Sequence, residues 1–590
     1  MSALSGDLIR MRRWPFIVIS AVLLLWSRFG APALVATSYQ SATQYEGIYR
    51  AAAAPGAVGE PIAEQVVIFV VDGLRVDVSR QLSELNQLRA RGAVRVLQVG
   101  QPSLSFPGWT AIATGAWPEQ SGVSSNDIER PIELDTIFHA ARKGGLDAAI
   151  VGSAGWRTLF NPEGVELHLL SEPPEYDSLE DILAFDERLV QTARKVLLRE
   201  PQLTLVHLLG VDTAGHGFGG ASVEYAQAAA SADRLIAGLI ASIDLSRAAV
   251  FVTADHGHID SGGHGGHEAV VRRVPLLATG RGIKPGVYAD AGQVDIAPTV
   301  AVLLGLEIPA HNQGDALFDQ IDAPDALRAR RALDVAAQLA DRHRALLLAI
   351  DPEAEMEQGL LERAQSAMAG ADYAEAENLA RESGEQARAQ WQAQREARLM
   401  RERLSRAPIV ALLLLPFGLY SLWWWRAGWG WRTPMLGALL FFVVWHALFR
   451  ARGFTFSVSW FNIDPILFVH PRVVEAVLAL IAVTVFVGAL NHRARKVDVA
   501  LATTHALFFI AAGMAVQIAA FYLAWDVVYD WYLPDLAAGG KYYLDVSLST
   551  SFWPLPALPL AALLPLLSMM VAWLAAPVAR SIRRNWCALP

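Results

Sequence analysis

Val250–Gly266 reads VFVTADHGHIDSGGHGG. Its β-branched, apolar opening predicts a buried strand, and the strand ends in Asp255 and His256, with His264 beyond a glycine-rich turn. Carboxylate and imidazole groups released from a strand end into a flexible loop are the donors a zinc site needs, and glycine lets backbone fold closely around an ion. Two more stretches repeat the pattern. Val66–Arg75, VVIFVVDGLR, ends an apolar run in Asp72, and Leu203–Gly219, LTLVHLLGVDTAGHGFG, places Asp212 and His216 four residues apart after a third run. Three strands each delivering ligands at their carboxyl ends predict an open α/β sheet with a site in the crevice beyond those ends. Asp72, Asp212, His216, Asp255, His256 and His264 suffice for two ions.

The chain has 590 residues, more than one core usually serves. Hydrophobic residues make up 53% and there are 18 tryptophans, an excess concentrated after Ala407, which predicts a soluble domain joined to a membrane domain. Net charge is −9 and the basic residues lie mostly at expected membrane edges, so a nucleic-acid partner is not expected. Cys587 is the only cysteine, which excludes disulfides within the chain and thiolate metal sites and leaves oxygen and nitrogen as ligands.

In chain order, Arg10, Arg12 and Arg13 precede WPFIVISAVLLLW (14–26), so residues 1–36 read as a cytoplasmic N-terminus and a signal anchor or cleavable signal. Residues 37–61 read as a linker. From 62 to 320, strand-like runs at 66–71, 148–151, 203–209, 249–253 and 274–278 alternate with helical segments, predicting a mostly parallel sheet flanked by helices. Residues 294–309 predict a closing helix from about Asp295 to Gly305. Residues 321–406, rich in Ala, Glu, Arg and Gln, predict an amphipathic helical stalk divided near Pro352 and Gly370. Residues 407–590 hold about five apolar segments (407–425, 434–449, 472–490, 499–525 and 553–578), each near the ~20 residues that cross a bilayer. Arg426 with Arg432, then Arg493, Arg495 and Lys496, then Arg580, Arg583 and Arg584 mark alternate loops as cytoplasmic, which places both termini inside and the 62–320 domain outside. Arg450 and Arg452 fall on the outer side, against the rule. His446, Glu475, His505 and Gln517 are read as interhelical or interfacial hydrogen-bonding groups.

Between the first two ligand stretches lies Gly100–Asp127, GQPSLSFPGWTAIATGAWPEQSGVSSND. A hydroxyl beside zinc can become a strong nucleophile at neutral pH. Ser105 is the first choice, and spacing leaves Ser103 and Thr110 open. A serine at the start of a helix near Pro107 also sets a bound phosphate against free backbone N–H groups. Asn126 could donate an amide hydrogen to a phosphate oxygen, or serve as a turn residue.

An Asp-Gly after a strand, a serine followed by Phe-Pro and later Thr-Gly, D-x-x-x-H, and D-H-G with a downstream G-x-H-G together resemble the alkaline phosphatase superfamily. The likeness is to the branch of nucleotide pyrophosphatase/phosphodiesterases and GPI ethanolamine phosphate transferases. PSLSFPG (102–108), PIELDTIF (131–138), DHGHIDSGGHGG (255–266), GRGIKPG (280–286) and VDIAPTVAVLLGLEIPAHNQG (294–314) resemble the transferases most closely. The resemblance implies an alkaline-phosphatase-like fold and two Zn2+, one held by Asp72, Ser105, Asp255 and His256 and the other by Asp212, His216 and His264. It puts the nucleophile on Ser105 and phosphate binding on Asn126. His207, His258 and His267 match no family ligand. Serine stands where many members have threonine, the spans are fewer than in the eukaryotic transferases, and the sulfatase pattern C-x-P-x-R is missing. The expected activity is transfer of phosphoethanolamine from a phospholipid, phosphatidylethanolamine, to a glycolipid or other lipid-linked hydroxyl. The alternatives are a membrane-tethered phosphodiesterase or phosphatase that uses water, and a non-catalytic lipid transporter or scaffold.

Overall fold

The computed structural model describes residues 53–160, 164–171, 178–426, 430–453, 457–460, 465–525 and 563–577, with 29, 45, 47 and 428. The expected N-terminal anchor apart from Phe29, the 526–552 segment and the C-terminal arginines Arg580, Arg583 and Arg584 lie outside these residues.

The apolar run Gln65–Val71 (β1) is buried at every position but its first, because it occupies the middle of a nine-stranded sheet. The other strands are Ala93–Gln98 (β2), Ala148–Ser153 (β3), Glu166–Leu170 (β4), Leu203–Leu208 (β5), Ala248–Thr253 (β6), Arg273–Gly280 (β7), Gly286–Val287 (β8) and Ala291–Gly292 (β9). Their order is β4-β3-β5-β1-β6-β7-β2-β8, with β9 on β2. β4, β3, β5, β1 and β6 run parallel, and β7 is antiparallel to both β6 and β2. Parallel strands buried on both faces read as unbroken apolar runs, so β1, β5 and β6 stand out in the sequence. β2 (AVRVLQ) does not, because its inward Arg95 interrupts the run. That guanidinium is held inside by Asp319, Gln320 Oε1 and the Ala289 carbonyl.

Register fixes the site. β1 lies between β5 and β6, with Val71 opposite Leu208 and Val70 opposite Thr253. The three strands therefore end together, and the next residues, Asp72, Leu209–Asp212 and Ala254–His256, emerge at one edge. Helices that frame this edge are Ser105–Thr114 (α1), Leu179–Leu197 (α2), Gly210–Phe218 (α3), Val223–Ile240 (α4) and Ile296–Leu303 (α5). α5 falls inside the expected closing helix and stops before Gly305, which takes a left-handed φ of 69°.

Three helices follow: Asp325–Ile350 (α6), Gly359–Ala369 (α7) and Tyr373–Arg426 (α8). The breaks contain Pro352 and Gly370. The bundle packs on the sheet domain through the buried Arg331, which donates to the Ala57 and Leu306 carbonyls at 2.7 and 3.0 Å, the buried Arg342, which donates to Gln120 Oε1 at 2.8 Å, and the half-buried pair of Arg395 with Glu119. His343 of α6 is buried and donates from Nδ1 to the Leu339 carbonyl at 2.8 Å. Burial pushes this imidazole down to about 4. Its folded pKa lies below the unfolded value of about 6.5, so the unfolded chain takes up the proton first as pH falls, and stability present above pH 6.5 is lost toward pH 4. The loss amounts to roughly 3 kcal/mol. His343→Leu is therefore expected to flatten the acid side of the stability curve relative to wild type, read as melting temperatures from pH 7 to pH 4.5.

α8 is one helix of 54 residues that carries Pro408 and Pro416 inside it and runs from the stalk into a membrane-length apolar stretch. Arg432–Ala451 (α9), Pro465–Leu490 (α10) and Lys496–Trp525 (α11) bring the helices long and apolar enough to cross a membrane to four among the described residues. A shorter apolar helix spans Leu563–Pro577. Phe441, Trp445, Val483, Val487, Ala506 and Ile510 pack between α9, α10 and α11. Three of the four expected polar groups make such contacts: Tyr420 of α8 meets His505 Nε2 of α11 at 3.0 Å, Glu475 pairs with Arg472 at 2.9 Å and Arg452 at 3.3 Å, and His446 Nδ1 lies 3.3 Å from Arg472, whereas Gln517 Oε1 is buried with no hydrogen-bond partner among the described residues. Arg452, which broke the charge rule, thus faces a buried carboxylate. Residues 457–460, between α9 and α10, touch the 62–320 domain at Gly266. Arg426, Arg432, Arg493, Arg495 and Lys496 consequently sit at the opposite end of the helices, about 30 Å away at 1.5 Å per residue.

Candidate metal centre and nucleophile

Asp212 and His216 sit one turn apart on α3 rather than on a loop, and their helix starts at the strand end because Asp186 of α2 accepts from the Leu209 and Gly210 amides at 3.0 and 3.1 Å. Asp255 is fixed from three sides: Gly73 and His256 amides donate to Oδ1 at 3.1 and 2.9 Å, and Trp109 Nε1 donates to Oδ2 at 2.8 Å. α1 reaches this close to the strand end because position 108 is glycine; a Cβ there would lie 2.9 Å from the Asp255 carbonyl oxygen.

Hydrogen bonds at the far nitrogen assign the tautomer of each imidazole. His256 Nδ1 faces the Gly257 carbonyl and His264 Nδ1 the Ser103 carbonyl, each at 3.2 Å. A carbonyl only accepts, so both Nδ1 atoms carry the hydrogen and both Nε2 atoms present bare lone pairs. His256 Nε2 looks toward Asp72 Oδ1 at 3.3 Å and Asp255 Oδ2 at 3.6 Å. His264 Nε2 lies 3.0 Å from His216 Nε2 and 3.6 Å from Asp212 Oδ1, and His216 Nε2 lies 3.5 Å from Asp212 Oδ2. Bare nitrogens and carboxylates converging in a buried space fit a divalent cation between them.

His207 and His258 have the opposite tautomer. Trp156 Nε1 donates to His207 Nδ1 at 3.1 Å, so His207 Nε2 donates to Asp72 Oδ2 at 2.9 Å. The Gly263 amide donates to His258 Nδ1 at 3.1 Å, so His258 Nε2 donates to Asp212 Oδ1 at 2.6 Å. His258 shares a cluster with Asp212, His256 and His264 by distance, but its hydrogen points at the carboxylate, and it orients Asp212 instead of presenting a lone pair. Burial lowers His207 to about 3 and His258 to about 4, and it lowers His264 as well, so all three are neutral at pH 7. Burial would raise Asp212, but His216, His258 and His264 hold it well below the usual carboxylate range. Burial pushes Asp255 up.

Ser105 opens α1, two residues before the helix start expected near Pro107, and is buried. Its Oγ lies 3.2 Å from the bare His256 Nε2. Asn126 accepts the Phe106 amide at 3.0 Å and donates to Ser105 Oγ at 3.4 Å, so the asparagine sits at the helix start beside the hydroxyl. The rival hydroxyls are committed elsewhere: Ser103 Oγ donates to the Gly266 carbonyl and Thr110 Oγ1 to the Phe106 carbonyl, each at 2.8 Å. All eight expected site residues thus come together. Exposed His267 stands outside the ligand groups. Trp109 and the 457–460 segment were not foreseen: the first reads as core in the sequence, and the second is remote in the chain.

The sequence comparisons agree on this region. Residues 66–272 match the family model described as type I phosphodiesterase/nucleotide pyrophosphatase. The chain is 28% identical over 348 residues to GPI ethanolamine phosphate transferase 1 of Emericella nidulans, covering 48% of this chain and 37% of that protein. It is 24% identical over 331 residues to the Homo sapiens protein of the same name, covering 48% and 35%. The match thus spans about a third of the length of these relatives. Among solved structures, alkaline phosphatase PafA matches with TM-score 0.37 at 13% identity, covering 45% of this chain and all of that one. Murine ectonucleotide pyrophosphatase/phosphodiesterase 5 matches with TM-score 0.37 at 13% identity, covering 44% and 100%. Residues 66–272 are thus similar to the type I phosphodiesterase/nucleotide pyrophosphatase family, and a helical stalk joins them to membrane-length helices.

Proposed function

We propose that the chain is a membrane-anchored, metal-dependent phosphotransferase that moves phosphoethanolamine from phosphatidylethanolamine to a glycolipid or other lipid-linked hydroxyl. The observation that carries this reading is Ser105 Oγ at the start of α1, 3.2 Å from a bare imidazole nitrogen and beside two groups of acid and imidazole donors. In the proposal Asp72, Ser105, Asp255 and His256 hold one Zn2+ and Asp212, His216 and His264 a second. The ions would neutralise phosphate charge and lower the pKa of the serine hydroxyl. Ser105 Oγ forms a bond to phosphorus as the bond to the lipid's glycerol oxygen breaks, and that oxygen leaves with a proton as diacylglycerol. Asn126 donates to a phosphate oxygen. The acceptor hydroxyl then attacks phosphorus from the side the glycerol left, and Ser105 regains its proton. The domain stands on the extracytoplasmic side, with both termini cytoplasmic.

The test is intact mass with peptide mapping of the detergent-purified full chain after incubation with phosphatidylethanolamine and no acceptor. A phosphoethanolamine adduct on Ser105 is expected. Turnover of the lipid with water alone, undiminished by any lipid-linked acceptor, would assign the domain to hydrolysis instead.

A further inference from the structure

The proposed reaction leaves one carboxylate near the site without a role. Glu268 follows the glycine strap that ends the His264 loop. One of its oxygens, Oε2, accepts from Ser459 Oγ at 2.9 Å. The other, Oε1, is buried with no hydrogen-bond partner, and Glu268 makes no ion pair among the described residues. A carboxylate oxygen buried without a hydrogen-bond partner is costly, so an ammonium supplied by a ligand would satisfy it.

The surroundings say where that cation would come from. Ser459 belongs to the segment between α9 and α10, and it is fully buried on the Gly266 strap, whose amide donates to its Oγ at 3.0 Å. A Cβ at Gly266 would collide with Ser457, Ser459 and Glu268, so glycine is what admits the segment. The Gly266 carbonyl accepts from Ser103, two residues before Ser105, and Gly266 itself is two residues after His264. A carboxylate held by the segment between α9 and α10 therefore lies two residues beyond Gly266, whose carbonyl accepts from Ser103, two residues before the nucleophile. Building on the phosphoethanolamine reading, we infer that Glu268, held by Ser459, is the subsite for the ammonium end of the donor headgroup.

An isosteric pair of soluble diesters tests this: 2-aminoethyl p-nitrophenyl phosphate and propyl p-nitrophenyl phosphate, which exchange an ammonium for a methyl group. Binding is measured calorimetrically on the full chain carrying Ser105→Ala, which removes turnover. The ammonium compound is expected to bind about tenfold more tightly or better, as a charge-assisted contact would give. Adding Glu268→Gln is expected to bring the ratio near one, and Glu268→Asp to restore part of it. Should Glu268→Gln lose its metal content and hence its fold, Ser459→Ala, which keeps the carboxylate but unpins it, is expected to give an intermediate ratio. No preference before Glu268 is changed, or an unaltered ratio in the folded variants, would overturn the inference. Failure of the serine-competent chain to use phosphatidylethanolamine while the binding ratio holds would instead reject the lipid-transfer reading alone.

Discussion

Ser105→Ala is expected to lower turnover of every phosphodiester by about three to six orders of magnitude, the range seen when a covalent nucleophile is removed from a site that otherwise still binds. The size follows from the absence of a substitute. Ser103 and Thr110 point their hydroxyls at the Gly266 and Phe106 carbonyls, and reaching phosphorus would require either to abandon a buried bond and reorient. Metal content should persist, since Asp72, Asp255 and His256 keep their own supports from His207, Trp109 and the Gly257 carbonyl. Steady-state kinetics with metal analysis on the same preparation checks both halves. Loss of less than tenfold would remove Ser105 from the nucleophile role, and loss of metal along with activity would make it chiefly a ligand.

Removing the metal is expected to have the second largest effect, on stability as well as activity. Asp72, Asp212 and Asp255 crowd together with His256, His216 and His264, and two imidazole nitrogens face each other 3.0 Å apart. Without a cation these groups repel or must take up protons in a buried space. A ligand present at about a thousand times its Kd contributes ~4 kcal/mol to the folded state. Chelator-stripped protein should therefore melt several degrees lower and show no turnover, and zinc should restore both. Full activity in protein with no detectable metal would reject the metal-dependent mechanism.

The sheet's middle was legible because its chemistry is simple. β1, β5 and β6 are covered on both faces and cannot hide their apolar runs, and the acids at their ends break those runs abruptly. Arg95 hid β2, since a buried guanidinium with its own acid, amide and carbonyl partners looks like a surface residue in one dimension. Tautomers were beyond the sequence altogether: His256 and His258 are two residues apart in the same loop, yet one shows a lone pair and the other a hydrogen, and only the Gly257 carbonyl and the Gly263 amide decide which. The Ser459 contact was equally hidden, because 193 residues separate it from Gly266.

α8 makes the connection between the two halves stiff. A 54-residue helix is roughly 80 Å long at 1.5 Å per residue, and its stalk half is fastened sideways to the domain by Arg395 and Glu119. Residues 457–460 make a second fastening, at Gly266. On the proposed reading the two fastenings would act as a depth gauge: Ser105 would meet what the bilayer presents at one height above its surface, and chemical selectivity would begin with altitude.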